Sequence, residues 1–390
     1  DLGSVKNHLR FAYSTTLLNR TTYTGYKATD VQADGRTFSN DGESLTYSAN
    51  TTYNPSFDGH AKTKFSEANP QQVWVHGFSL SNVFELSEQF KAMAALRYDH
   101  YSYRHTSGLA IKDGKHSYDD LARSAYRKTT DWAFSYRIGL VYQPVEALSF
   151  YTSLGSFYIP DKTTSLDKNR ERFYDKNGNQ ITGRRGGAYF DPESGYQVEL
   201  GAKYTLSEIL QLNASVYYIR RNNEVAYTSI TEQENGKPKR YSILAQVGAT
   251  EGKGFETDLT LRPFRGLELV AGYSYTDTHV ADAKDTSVTK LFNIRKGTPM
   301  SWEPRKQFFT YGSYDFQRGA LRHLSLNYSL SYRDAMYYNV GQELSLPPYT
   351  QLDLGASYRL PAGFAVALQV RNVLNAKNYT SVLNGSQFFP

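Results

Sequence analysis

Cysteine is absent from the 390 residues, and tryptophan and methionine occur three times each. Without a thiol there is no disulfide framework, no thiolate metal site and no cysteine nucleophile. Long apolar runs are missing too: no stretch approaches ~18 consecutive apolar residues, so no helical membrane span is encoded. An excess of one charge is also lacking. Lys and Arg together number 44 against 38 Asp and Glu, a net +6 spread along the chain with no run of five basic residues, so a nucleic-acid partner is not expected. No signal peptide is read at the start either: Asp1-Leu2-Gly3-Ser4 opens straight into an alternating segment, so the expectation is either an unusual mature start or a piece of a longer protein.

Tyrosine and phenylalanine are abundant, 33 and 21 residues, on a chain whose mean hydropathy is −0.58. A membrane β-barrel alternates lipid-facing and lumen-facing residues, so its average hydropathy is polar. Its aromatic girdles favour tyrosine, which has one apolar and one water-seeking end.

The apolar residues repeat with period two. Trp132, Phe134, Tyr136, Ile138, Leu140 and Tyr142 share one face. Leu324, Leu326, Tyr328, Leu330 and Tyr332 alternate with serines and Asn327. Leu352, Leu354, Ala356, Tyr358 and Leu360 repeat the pattern, as do Phe364, Val366, Leu368 and Val370. No window carries a helical period over three turns, so the expected fold is all-β.

Connection lengths alternate as well. Gln143-Pro144-Val145-Glu146, Leu206-Ser207-Glu208-Ile209, Arg262-Pro263-Phe264-Arg265-Gly266, Gln317-Arg318-Gly319 and Pro361-Ala362-Gly363 are short. The intervening 158–190, 226–251, 279–302 and 335–348 are long. An outer-membrane barrel gathers long loops outside and tight turns inside. Near the start, a strand at 43–53 paired with 71–87 would put 18–42 on the wrong side. A tight turn at 54–59 and a short extra strand at 60–68 remove that conflict. The expectation is an incomplete, antiparallel, up-and-down transmembrane barrel of about 15 strands.

Four stretches in order resemble the TonB-dependent outer-membrane receptors of the ferric-siderophore type. They are Ala95-Leu96-Arg97-Tyr98-Asp99-His100-Tyr101; Asp191-Pro192-Glu193 with Glu199-Leu200-Gly201-Ala202-Lys203; Gly252-Lys253-Gly254-Phe255-Glu256 with Gly272-Tyr273-Ser274-Tyr275-Thr276-Asp277; and Val370-Arg371-Asn372-Val373-Leu374-Asn375-Ala376-Lys377-Asn378-Tyr379. The family closes at 22 strands around a plug. The resemblance therefore implies that residues 1–390 form part of such a barrel, without the N-terminal plug, the first strands or the last strand. It also implies energised uptake of a ferric siderophore into the periplasm of a Gram-negative bacterium. The implied partners are TonB-ExbB-ExbD through the plug, together with outer-membrane lipid and lipopolysaccharide. Cobalamin, haem or an oligosaccharide are alternative cargoes, and a passive porin-like channel is an alternative of another class.

Under this reading the chain makes and breaks no bond and is not an enzyme; no cofactor is expected. Aromatic and basic loop residues are the expected cargo contacts: Arg184, Arg185 and Tyr189 in the longest loop, Arg220, Arg221 and Tyr227 at a strand top, and Tyr337 and Tyr338 in a late loop. Arg offers fixed donors to anionic oxygens. The eight histidines show no ligand spacing; His100 and His105 are an odd number apart and face opposite sides. Asp175-Lys176-Asn177-Gly178-Asn179-Gln180-Ile181 lacks a calcium loop's sixth-position glycine and has Gly186 where its glutamate would stand, so it reads as a polar loop tip. No Gly-x-Ser-x-Gly elbow occurs.

Overall fold

The structure is a computed structural model describing residues 5–26, 31–33, 36–38, 65–105, 109–110, 127–161, 171–183, 189–338, 345–360, 363–379, 381–383 and 387–389. Thirteen strands form one antiparallel wall in sequence order. They are β1 (Lys6–Tyr26), β2 (Phe65–Glu85), β3 (Phe90–His105), β4 (Arg127–Val145), β5 (Leu148–Ile159), β6 (Glu193–Leu206) and β7 (Leu210–Glu234). They continue as β8 (Lys237–Leu261), β9 (Leu267–Asp282), β10 (Lys306–Asp315), β11 (Leu324–Arg333), β12 (Tyr349–Arg359) and β13 (Ala365–Val370). Among the described residues, β1 bonds only to β2 and β13 only to β12, so the wall is an open arc.

One register runs through the wall. Phe78 stands opposite Tyr98, Tyr98 opposite Phe134, Leu154 opposite Val198, Leu200 opposite Val216, and Val216 opposite Phe255. These side chains form one apolar face, and Phe134, Ile138, Leu200 and Val216 are exposed on it. The other face carries the residues between them: Ser79, Arg97, Arg137, Glu199, Ser215 and Glu256. Exposed apolar side chains on one face and polar ones on the other are the pattern of a wall between lipid and a wet lumen.

The aromatic girdles measure that wall. At the turn end, Phe90 stacks on Tyr142 at 4.4 Å between centroids; at the loop end, His100 meets Trp132 at 4.1 Å. Ten residues separate the two contacts on both strands, which at ~3.3 Å per residue and ~45° of tilt is about 23 Å, the height of a membrane barrel's apolar band. Trp74 and His76 continue the upper girdle, with rings 5.8 Å apart.

Two parts of the chain depart from the pattern expected above. Of the expected short strand at 60–68, residues 60–64 lie outside the described residues, and 65–68 belong not to an extra strand but to β2, which pairs directly with β1 from Tyr26↔Phe65 to Lys6↔Glu85. Connection 27–64 therefore leaves and re-enters at the loop end, and the conflict that called for an extra strand vanishes. The expected strand 43–53 and the expected turn 54–59 lie outside the described residues. Segment 226–251 is likewise not a long loop. β7 and β8 continue well past the apolar face, which on β7 runs from Leu210 to Tyr218, and close at Asn235-Gly236. Both turn residues have positive φ, 55° and 75°, as a two-residue hairpin turn of matching twist requires. A register shift at Asn222–Glu224, with Asn223 at φ 63°, bends the hairpin where it leaves the membrane.

Above the apolar band this hairpin carries its own core. Tyr241, Ile243, Ala245 and Val247 pack against Val280 of β9 and Val288, Phe292 and Ile294 of connection 283–305. That connection contains α1 (Ser287–Leu291), started by a capping box between Thr286 and Thr289. A short strand, Glu171–Tyr174, adds in parallel to β8, and Arg172 pairs with Glu232 at 2.7 Å over the Tyr241 ring. Ile243 is fully buried. Ile243→Ala is expected to cost this outer module about 2–5 kcal/mol, seen as faster hydrogen exchange in 237–247 and 283–305 while the membrane-facing strands keep their protection.

Glu171–Tyr174 pairs with Gln180–Ile181 around the Asp175 turn. The Asp175 carboxylate accepts the amides of Asn177 and Asn179, both at 2.9 Å. Burial works upward on this carboxyl, but those donors outweigh it and hold it below the ordinary range. A depressed acid stabilises its turn above the unfolded value and loses that contribution as pH falls. The turn is therefore expected to loosen below about pH 4, and amide protection at 175–180 unchanged from pH 6 to 3 would contradict this.

Candidate binding cavity

A cavity of about 480 Å³ opens on the lumen face where β6 to β10 rise out of the apolar band. Alternation sets its wall: Glu199 of β6, Tyr217 and Arg221 of β7, Glu256 of β8 and Thr276 of β9 all sit on the lumen-facing parity. Its rim is the return of connection 283–305. That segment is tied to β9 by Met300 N–H to the Thr278 carbonyl at 3.0 Å, and it brings Trp302 and Glu303 over the opening.

The polar groups are ordered by hydrogen bonds across strands. The Tyr151 hydroxyl donates to Glu199 at 2.7 Å, the Tyr217 and Thr276 hydroxyls lie 2.7 Å apart, and Thr250 donates to Glu224 at 2.7 Å. Glu224 follows the strand bend, where it turns into the cavity rather than to the lipid side. Burial pushes its carboxyl upward, against the Thr250 hydrogen bond and the Arg221 charge. The volume lies in the range of small-molecule sites, and the mix of aromatic faces with a few converging polar groups is what such sites use.

The residues expected to contact cargo are scattered. Arg184 and Arg185 lie outside the described residues. Tyr189 packs edge-on against Phe173 at 5.1 Å, and its N–H donates to Asp161 at 3.0 Å, where 189–192 docks on β8. Arg220 points to the outer face, donating to Asn222 at 3.2 Å, while Arg221 next to it lines the cavity. Tyr227 is exposed on the outer hairpin, 3.3 Å from Ser242. Tyr337 accepts the Trp302 N–H on its carbonyl at 2.7 Å, and the Tyr338 ring stands edge-on to Trp302 at 5.1 Å. So Arg221, and Tyr338 through Trp302, come together at the cavity; Tyr189, Arg220 and Tyr227 do not. Glu199, Tyr217 and Glu256 were absent from that expectation. Alternation marks them, since each stands next to a lipid-facing residue: Val198 or Leu200, Val216 and Phe255.

A wall with a lipid face, a polar lumen, tight turns at one end and packed connections over a cavity at the other is that of a transmembrane β-barrel of outer-membrane type. The sequence profile of the family described as TonB dependent receptor-like, beta-barrel, matches residues 3–373, and the chain belongs to that family. It is 22% identical over 332 residues to the metal-pseudopaline receptor CntO of Pseudomonas aeruginosa, covering 84% of this chain and 40% of that protein. It is 26% identical over 259 residues to the ferrioxamine B receptor of Salmonella typhimurium, covering 65% and 32%. Among solved structures it superimposes on the ferric-catecholate import receptor Fiu of E. coli K12 with a TM-score of 0.68 at 15% identity, covering all of this chain and 50% of that one. The siderophore receptor PiuA of Acinetobacter baumannii gives 0.64 at 18% identity, covering 97% and 50%. The chain thus spans less than half of these two receptors' sequences and half of these solved structures.

Proposed function

We infer that the intact protein imports a ferric siderophore across the outer membrane of a Gram-negative bacterium, driven by TonB-ExbB-ExbD acting on a plug. Residues 1–390 would contribute part of its barrel. The cavity carries this reading, because it lies on the lumen face at the outer end, beneath connections packed into a fixed shape. An open passive pore has no use for such a shape, whereas capture of a scarce chelate needs one. The relatives support it, being receptors for ferrioxamine B and for a metal-pseudopaline.

The test is growth and uptake. Loss of the intact protein should impair growth on chelated iron, and uptake of radioactive iron chelate through it should stop when the inner-membrane energy source is removed. Uptake that persists without that energy would favour the porin-like alternative. Uptake of cobalamin, haem or an oligosaccharide in place of iron would retain the fold and change the cargo.

A further inference from the structure

The cavity's charge is opposite to what an anionic chelate needs. Four carboxylates line it, Glu199, Glu224, Glu256 and Glu303, with Arg221 as its one cationic lining residue. Arg221 acts on Glu224, which Thr250 also holds by a hydrogen bond. Among the described residues the Glu199 carboxylate accepts a neutral phenol, that of Tyr151, and has no ion-pair partner. Among the described residues neither Glu256 nor Glu303 has an ion-pair partner. A concave wall of one sign focuses its field on whatever enters, and like charge brought against it is rejected.

Trp302 supplies a second, independent observation. Its φ of 62° is a left-handed conformation that a bulky side chain adopts only when its surroundings enforce it. The enforcement is visible in its N–H on the Tyr337 carbonyl at 2.7 Å and its ring against Tyr338 at 5.1 Å. The residue is nevertheless 46% exposed and lines the cavity, so the constraint serves to present it rather than to bury it. An indole beside carboxylates without counter-ions is the pairing that recognises an ammonium group.

We propose that this cavity selects a ferric chelate whose organic shell carries a protonated amine, with Glu256 and Glu303 as counter-charges and Trp302 as the aromatic wall. The proposal rests on the reading of the intact protein as a ferric-chelate importer and specifies its substrate class. The amine enters as a cation and leaves unchanged; the iron keeps its own ligands throughout.

The experiment compares, on the intact receptor in detergent, a ferric trihydroxamate bearing a free primary amine, the same chelate with that amine acetylated, and an anionic ferric tricatecholate. The free-amine form should bind at least about tenfold more tightly than the acetylated one, as one close charge pair provides. At ~1 M salt, where screening acts over ~3 Å, that gap should shrink. The double variant Glu256→Gln/Glu303→Gln should abolish it, whereas Arg221→Gln should tighten the free-amine chelate. Equal binding of the free and acetylated forms would overturn the proposal, as would tightest binding of the tricatecholate with Arg221→Gln weakening it. The wild-type comparison needs no variant, so a misfolded variant leaves the result decisive. If the receptor binds none of the three chelates the proposal fails, while the importer reading is decided separately by the growth and uptake test above.

Discussion

Ile138→Arg is expected to cost the folded wall about 2–4 kcal/mol in a lipid bilayer, the penalty of a charge on the lipid side at mid-membrane. Ile138 lies on β4 between Trp132 of the upper girdle and Tyr142 of the lower one, and it stands opposite Ala94 and Leu154. Its neighbour Arg137 already carries a charge at nearly the same depth, but on the lumen face, with Arg97 and Ser135. The position of the face, and not of the residue in the sequence, decides the cost. Ser153→Arg, lumen-facing beside Glu199 and level with Gly139, should therefore cost under about 1 kcal/mol. Trp132→Arg, at the interface, should cost little for its charge, about 0–1 kcal/mol. Folding equilibria in vesicles, read by heat-modifiable gel migration, would check all three; equal costs for Ile138→Arg and Ser153→Arg would dismiss the two-faced reading.

Gly248→Ala should detach the outer module from β9. Gly248 sits opposite Glu224 at the register shift between β7 and β8, next to the Ala249–Thr250 shift against β9; its φ is 124°, a region closed to side chains, and a Cβ there would overlap the backbone carbonyl of Asp282. A flexible side chain can give way to a new methyl group; a strand carbonyl cannot without breaking its ladder. A loss above about 3 kcal/mol is expected in the module, with new protease cleavage in 283–305 and weaker cargo binding. The membrane-facing register below Thr250 should remain. Gly236→Ala provides the contrast, since nothing lies near that position and only the turn's φ of 75° is strained.

The membrane-facing half of the fold was readable because lipid imposes a strict choice at every second residue. Trp132 through Tyr142, Leu324 through Tyr332 and Phe364 through Val370 each show it, and each lies on the outer face. Beyond the girdles that constraint ends. Thr21-Thr22-Tyr23-Thr24-Gly25-Tyr26 finishes β1 without any apolar alternation, so the strand's true length was hidden and an extra one was expected instead. β7 and β8 continue where both faces are protein or water, and the legible sign there was the Asn235-Gly236 turn, a local signal rather than a periodic one. At the other end, Arg371 to Tyr379 does not extend β13. It follows β12 through Val373 N–H to the Leu352 carbonyl at 2.8 Å and Asn372 N–H to Asp353 at 2.8 Å.

The cavity was less legible than the wall. Choosing basic and aromatic residues by type gave Arg220 and Arg221 together, although neighbours on a strand face opposite sides. The same parity that identified the lipid face points Glu199, Tyr217 and Glu256 inward. Trp302 is not a strand residue, and only tertiary contacts with Thr278, Tyr337 and Tyr338 reveal its place.

The alternation of tight and long connections also gives the wall a direction in time. Bringing β1 to β2 across 27–64 costs about 2 kcal/mol more in loop closure than bringing β2 to β3 across 86–89. Pairs joined by tight turns should therefore form first and zip away from their turns toward the opposite end. β7 and β8 are the exception, since Asn235-Gly236 lets them zip from the outside inward. Two growth fronts then meet along β6 to β10, which makes the cavity among the last parts of the wall to be completed.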